Sequence, residues 1–222
     1  LDRLGLSRAL FDCLVTSKGS TDELLVATFS DRGVEVQLDW SRSRDALEPL
    51  PGAWEADGVT ALVDAMTWLP ELMLEGRRSR RLALVVTDGR DNASRLSIDD
   101  ARERALSIGL PLYVVDFSAV GLAPHLDATR DELSLWLESL AASTGGRMLF
   151  PRDAGEVATT CRQITAELER QVLIGFVADS SAPSSEHRLE IRAGAGPVRL
   201  RPTYLGPPPS ELAPSKPPTE EN

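Results

Sequence analysis

Two short, almost wholly apolar runs constrain the fold of this chain more than any other feature of its sequence. They cover Leu82 to Val86 and Leu112 to Phe117. Strands that are buried on both faces carry such runs, whereas half-exposed strands alternate apolar with polar residues. We therefore predict two strands of a sheet covered by helices on both sides, with the first run as its central strand.

Helical patterns alternate with the predicted strands. They cover residues 3–17, Thr60 to Met73, residues 98–108, residues 131–143 and a segment around Cys161. A strand pair is predicted at residues 24–29 and 34–38, and Pro70 should interrupt its helix because it lacks an amide donor. Parallel strands need crossover connections, so the alternation favours an α/β fold, a Rossmann-like doubly wound, mostly parallel sheet.

Beyond residue 170 the pattern changes to strands alone, predicted at residues 172–178, 188–193 and 198–204. We predict an α/β domain over residues 1–170 and an antiparallel annex packed on it over residues 171–205. Residues 206–222 hold six prolines. Proline cannot donate to a strand ladder, so a disordered tail is expected there.

Charge and hydropathy narrow the classes of partner. The formal net charge is −10, from 34 acidic and 24 basic residues, which argues against nucleic acid and anionic membrane surfaces. No apolar stretch reaches the ~20 residues of a spanning helix, so membrane insertion is not expected. The sequence begins at Leu1 without a leader, and we expect that processing or truncation removed its true start.

The two cysteines match no metal-binding spacing. Cys13 and Cys161 each lie on an apolar helical stripe, so both are expected to face the core. The sequence leaves two alternatives open: a pair of buried thiols, or a disulfide if the two helices are neighbours.

Candidate site residues follow the predicted strands. Ligands of open parallel sheets bind beyond the carboxyl ends of the strands. Asp88 and Gly89 come directly after the first apolar run, and the loop Asp57 to Thr60 delivers a hydroxyl at a helix start. Taken singly, Asp88 also suits the role of a turn-forming aspartate and Thr60 that of a helix cap. Asp91 and Asn92 are predicted to stabilise their loop.

Three motifs in order resemble those of a von Willebrand factor A domain. They are Thr-Phe-Ser-Asp at 28–31, Gly-x-Thr-Ala-Leu at 58–62 and Thr-Asp-Gly at 87–89. The resemblance extends to bacterial von Willebrand A-related proteins of the Acidobacteria type. The residues that carry this extension are Gly145, Gly146, the Phe150-Pro151 pair, residues 171–176 and the closing Arg201, Pro202 and Tyr204. The resemblance covers about nine-tenths of the chain.

This resemblance implies a metal-ion-dependent adhesion site. Such domains hold a divalent metal through a D-x-S-x-S motif, a threonine and an aspartate, and Thr60 and Asp88 match the last two positions. It implies Mg²⁺, or Mn²⁺ or Ca²⁺, as cofactor and a protein partner that presents an acidic residue. It also implies a secreted or periplasmic location. In the family pattern D-x-S-x-S ends where Leu1 begins, so the first strand and three ligands are expected to be missing.

A D-x-S-x-S string does occur at Asp39 to Ser43. We do not assign it to the metal, because Thr60 would follow too soon to leave room for the helix and two strands that precede this string. A polar turn leading into a helix is the expected role.

The expected function is therefore a binding module and not an enzyme. The sequence lacks a G-x-S-x-G nucleophile motif and a phosphate-binding loop, and neither His125 nor His187 has an evident nucleophile. Two alternatives stay open. One is a structural or assembly module whose metal site has decayed, and the other is a metal-dependent hydrolase in which Asp88, Asp91 and Asp116 converge.

Overall fold

The structure, a computed structural model, describes residues 2–55, 58–122, 131–174, 186–191 and 198–205. These fall into two units, within residues 1–173 and 174–222. The first unit contains, in chain order, α1 (Arg3–Ser17), β1 (Leu24–Ser30), β2 (Gly33–Ser41), α2 (Arg44–Leu47), α3 (Leu62–Met66), α4 (Leu69–Met73), β3 (Ala83–Thr87), α5 (Ile98–Leu106), β4 (Leu112–Asp116), α6 (Glu132–Ser143), β5 (Arg147–Leu149) and α7 (Ala154–Glu169).

Strands β3, β4 and β5 form a parallel sheet in that order. The prediction that residues 82–86 form its central strand is wrong for the described residues, because β4 takes that place. All five residues of β4 are buried, whereas buried and half-buried residues alternate in β3. Apolar composition did not distinguish the two strands, since helices contact both faces of each.

Helices cover both faces of this sheet, as predicted. Leu112 and Val114 of β4 pack in a core cluster with α3, α5 and α6. Tyr113 and Val115 point the other way and pack with α1 and α7. Successive side chains of a strand face opposite sides, so one buried strand supplies both cores. The predicted α/β fold with helices on both faces is confirmed.

A disulfide joins α1 to α7. Cys13 and Cys161 are bonded, with their Cα atoms 6.3 Å apart and their positions 148 apart in sequence. Of the two alternatives that the sequence left open, the structure has the disulfide.

The predicted strand pair forms a hairpin of its own. β1 and β2 pair in an antiparallel ladder that closes at Ser30 and Gly33. Val26 packs with Phe11 and Val15 of α1 in a third cluster, so α1 contacts both the hairpin and the parallel sheet. Among the described strands, no hydrogen-bonded ladder joins β1 or β2 to β3.

The helix predicted from Thr60 is interrupted, as expected from its proline. It begins at Leu62, ends at Met66 and resumes as α4 with Pro70 in its first turn. Proline is tolerated there because first-turn amides have no partner within the helix.

The second unit contains a short antiparallel pair, β6 (Glu186–Arg188) and β7 (Thr203–Leu205). The predicted annex strands began and ended elsewhere, at residues 188–193 and 198–204. Residues 172–174 are not in a strand, while the rest of that predicted strand and the tail 206–222 lie outside the described residues. Of the helices in the described ranges, none has the length and apolar character to span a bilayer.

Candidate functional site

Asp88 lies at the carboxyl edge of the parallel sheet. It follows Thr87, which pairs with Asp116 at the end of β4. The chain turns at Gly89, where φ is +77° and a Cβ atom would lie 3.0 Å from both carboxylate oxygens of Asp116. Positive φ and lack of space both favour glycine there. The turn keeps Asp88 at the edge where ligands of such sheets bind.

Thr60 is held against the loop that carries Asp88. Its amide donates to Asn92 Oδ1 at 2.7 Å, and its carbonyl accepts from the amides of Asn92 and Ala93 at 3.0 and 3.1 Å. Thr60 precedes α3 and does not follow a strand of the parallel sheet. The structure thus brings the two predicted site loops together. We call residues 58–61 and 88–94 the rim. Asp57 lies outside the described residues.

Asp91 joins the rim to the start of α3. Its Oδ2 accepts from the Val63 amide at 2.7 Å and the Ser94 hydroxyl at 2.6 Å, and its Oδ1 accepts from the Ser94 amide at 3.0 Å. Partial burial alone would raise the pKa of Asp91, but these bonds favour the charged form and lower the pKa overall. The predicted role as a loop stabiliser is confirmed for both Asp91 and Asn92.

Asp88 has cationic partners. Arg3 Nη1 donates to its Oδ2 at 3.2 Å, the Arg90 amide donates to its Oδ1 at 3.2 Å, and Arg90 Nε lies 3.8 Å from Oδ2. Sequence reasoning missed Arg3. One signal was available, because Arg3 is the first residue of α1, where the helix dipole disfavours a cation.

Asp116 adds a buried carboxyl beside the rim. It is fully buried, and its Oδ1 accepts from the Ser118 amide at 2.7 Å. Its Oδ2 has no hydrogen-bond partner among the described residues. Burial raises the pKa of Asp116, and the nearby carboxylates of Asp88 and Asp131 raise it further, against the hydrogen bonds from Ser118. The carboxyl groups of Asp88, Asp116 and Asp131 therefore lie near one another at this edge of the sheet.

An open hollow of about 360 Å³ lies beside the rim. It is lined by Gly89, Arg90, Asp91 and Asn92 of the Asp88 loop and, at the starts of α3, α5 and α6, by Val63, Ile98, Asp131 and Leu133. A surface of this kind suits contact with a side chain or a short peptide.

The donors at the rim suit a hard cation but are few. Hydroxyl and carboxylate oxygens are ligands that Mg²⁺ and Ca²⁺ prefer. Within the described ranges, no group of three or more histidine, cysteine, aspartate or glutamate side chains could hold a metal ion. Thr60 and Asp88 alone do not fit a complete metal centre, and Asp88, Asp91 and Asp116 do not form one.

Asp39 to Ser41 of the D-x-S-x-S string form the end of β2, so the expected polar turn is limited to Arg42 and Ser43, which lead into α2. Ser43 caps this helix by accepting from the Ala46 amide at 3.3 Å, and Ser41 Oγ accepts from the Ser43 amide at 3.1 Å.

Comparisons with known proteins find similarity only at the level of structure. No family model and no curated protein matches the chain. A solved structure described as von Willebrand factor type A from Catenulispora acidiphila has a TM-score of 0.59 and 16% identity over 74% of this chain. The present chain spans 38% of that solved chain.

Two further solved structures come from Bacteroides. An aerotolerance-related membrane protein from Bacteroides fragilis, carrying mutations to serine, has a TM-score of 0.55 and 14% identity, covering 74% of this chain and 88% of its own. The conserved hypothetical protein BatB from Bacteroides thetaiotaomicron has a TM-score of 0.55 and 15% identity, covering 76% and 89%. At such identities these matches identify the fold.

Proposed function

We propose that this chain, which has the fold of a von Willebrand factor A domain, is a protein-interaction module and not an enzyme. The observation that carries the proposal is the rim. Three backbone hydrogen bonds of Thr60 fix its loop against the loop of Asp88. Binding surfaces commonly sit on loops that a rigid scaffold positions at this edge of a parallel sheet.

The hydrolase alternative receives less support. Both carboxylate oxygens of Asp91 accept hydrogen bonds from Val63 and Ser94, and Asp116 is fully buried. Asp88 is paired with Arg3. A hydrolase of the predicted kind would need these three carboxylates directed at one reacting centre.

The finer proposal is adhesion that depends on a divalent cation, with a partner that presents an acidic residue. Thr60 and Asp88 would contribute to holding Mg²⁺, or Mn²⁺ or Ca²⁺. Because these two donors do not fit a complete centre, the cation-dependent form requires oxygen ligands from outside the described residues, the partner's carboxylate among them.

Selection from a random displayed peptide library in Mg²⁺ tests the proposed surface. Peptides retained by the wild-type chain should be rich in Asp or Glu, and their affinity should fall about tenfold for Thr60→Ala and for Asp88→Asn, as for central contacts of an interface. Asp12→Asn is the matched control, since Asp12 is exposed on α1. Affinities that neither rim substitution changes would place the binding surface elsewhere.

Chelation separates the two remaining forms of the module. If a cation takes part, EDTA should weaken the binding of the selected peptides, and added Mg²⁺ should restore it. An affinity that EDTA leaves unchanged but that the rim substitutions lower would favour the structural or assembly module with a decayed metal site.

We also propose a secreted or periplasmic location. The Cys13–Cys161 disulfide supports it, because structural disulfides persist in oxidising compartments and are rare in a reducing cytosol.

A further inference from the structure

We propose that the guanidinium of Arg3 acts as a built-in counter-ion at the rim, so that a divalent cation reaches Asp88 only in competition with it. This inference rests on the proposed cation-dependent form of the interaction module. It concerns a residue outside the predicted ligand set, and it accounts for the poor fit between the described residues and a metal centre.

The contacts of Arg3 bridge two strand ends. Nη1 donates to Asp88 Oδ2 at 3.2 Å, beyond β3, and Nη2 donates to the Ser118 carbonyl at 3.4 Å, beyond β4. The Asp88 side chain is 34% exposed. The guanidinium therefore occupies one of the two carboxylate oxygens through which Asp88 could contact a cation.

The position of Arg3 in α1 is informative in itself. A cation in the first turn of a helix is disfavoured by the positive end of the dipole, typically by about 0.3–1 kcal/mol. Asp2 caps the same helix by accepting from the Gly5 amide at 2.7 Å, so it already supplies the negative charge that this end favours. Arg3 is thus compensated by Asp88 and not by its own helix.

The surrounding charges explain why a counter-ion is needed. Asp88 lies close enough to Asp116 for its negative charge to raise the pKa of the Asp116 carboxyl, in addition to the larger effect of burial. Arg90 contributes a weaker contact, with its Nε 3.8 Å from Asp88 Oδ2 and its side chain 70% exposed. A fixed guanidinium relieves this repulsion without a metal ion, and it repels an incoming divalent cation.

Titration with Mn²⁺ by calorimetry tests the competition. Arg3→Gln should bind Mn²⁺ about threefold to fivefold more tightly than wild type, the range expected for loss of a partly exposed ion pair. Arg102→Gln removes the same charge from an exposed position on α5 and should leave the affinity unchanged. If both proteins bind Mn²⁺ and do so with equal affinity, the proposed competition is refuted.

A double-variant cycle without metal separates this inference from the proposed cation site. In EDTA, Arg3→Gln should lower the equilibrium constant for folding about twofold to fivefold in the wild-type background and not in Asp88→Asn. If neither wild type nor Arg3→Gln binds Mn²⁺ but this coupling is present, the cation-dependent function fails while the counter-ion role stands. Additive effects would refute that role.

Discussion

At the scale of single residues, the hydrogen bonds of Asp91 explain why the rim has a fixed shape. Its carboxylate accepts from the amide of Val63, at the start of α3, and from the amide and hydroxyl of Ser94 in its own loop. An aspartate can serve several donors at once because an ionised carboxylate has about four acceptor positions. The residue that orders the site is therefore a neighbour of the predicted ligand Asp88.

Asp91→Asn should destabilise the protein in a pH-dependent way. At neutral pH we expect a loss of about 1–3 kcal/mol in the free energy of unfolding, since one charged acceptor is replaced by a donor that faces amide donors. The folded-state pKa of Asp91 lies below its ordinary value of 3.8. The carboxylate therefore contributes stability above that pH and loses it as the pH falls through the lower folded-state pKa.

Denaturant unfolding between pH 7 and pH 3 measures this difference. The gap between wild type and Asp91→Asn should narrow with acidification, whereas Asp12→Asn should show no such gap. A gap that is constant over the whole range would mean that the charge of Asp91 does not contribute.

At the scale of elements, α1 connects the parts of the first unit. Leu6 and Leu10 pack against β4, Phe11 and Val15 pack against the hairpin, and Cys13 is bonded to α7. Its first residue, Arg3, reaches the rim. The position of α1 therefore affects both the core and the candidate site.

Removal of the disulfide should weaken the unit. The bond links residues 148 positions apart, and a cross-link over so long a loop restricts the unfolded chain strongly, by about 2–5 kcal/mol. We expect a Cys13→Ala, Cys161→Ala double variant to show a lower Tm and a lower free energy of unfolding.

Dithiothreitol provides the matched control for this experiment. It should lower the Tm of wild type toward that of the double variant and leave the variant itself unchanged. Equal stability of the two proteins without reductant would show that the cross-link contributes nothing.

At the scale of the whole molecule, the net charge limits the class of partner, and the oxidation state of the cysteines indicates the compartment. A net charge of −10 argues against polyanionic partners, and the three core clusters of the described residues all lie within the first unit. Both cysteines of the sequence are paired in the disulfide. These properties agree with the proposed exported interaction module.

Thiol trapping in source cells tests the proposed compartment. If the protein is exported, an alkylating reagent added before any reductant should leave Cys13 and Cys161 unlabelled, and both should become labelled after reduction. Alkylation of both thiols without prior reduction would indicate a reducing compartment.

The sequence by itself determined the kinds and order of most elements. Local patterns fix these, as the apolar stripe of α1 and the interruption at Pro70 illustrate. It also identified Thr60 and Asp88 as candidate site residues, and the structure brings their loops together through hydrogen bonds of the Thr60 backbone to Asn92 and Ala93.

Only the tertiary structure decided which strand is central, that the hairpin forms a separate ladder, that Cys13 meets Cys161, and that Arg3 pairs with Asp88. All of these depend on which segments approach one another, and the ion pair and the disulfide join residues 85 and 148 positions apart in sequence. Periodicity describes only which face of a segment is apolar. It does not select the segment that this face will meet, because many apolar surfaces of similar size compete for the same partner.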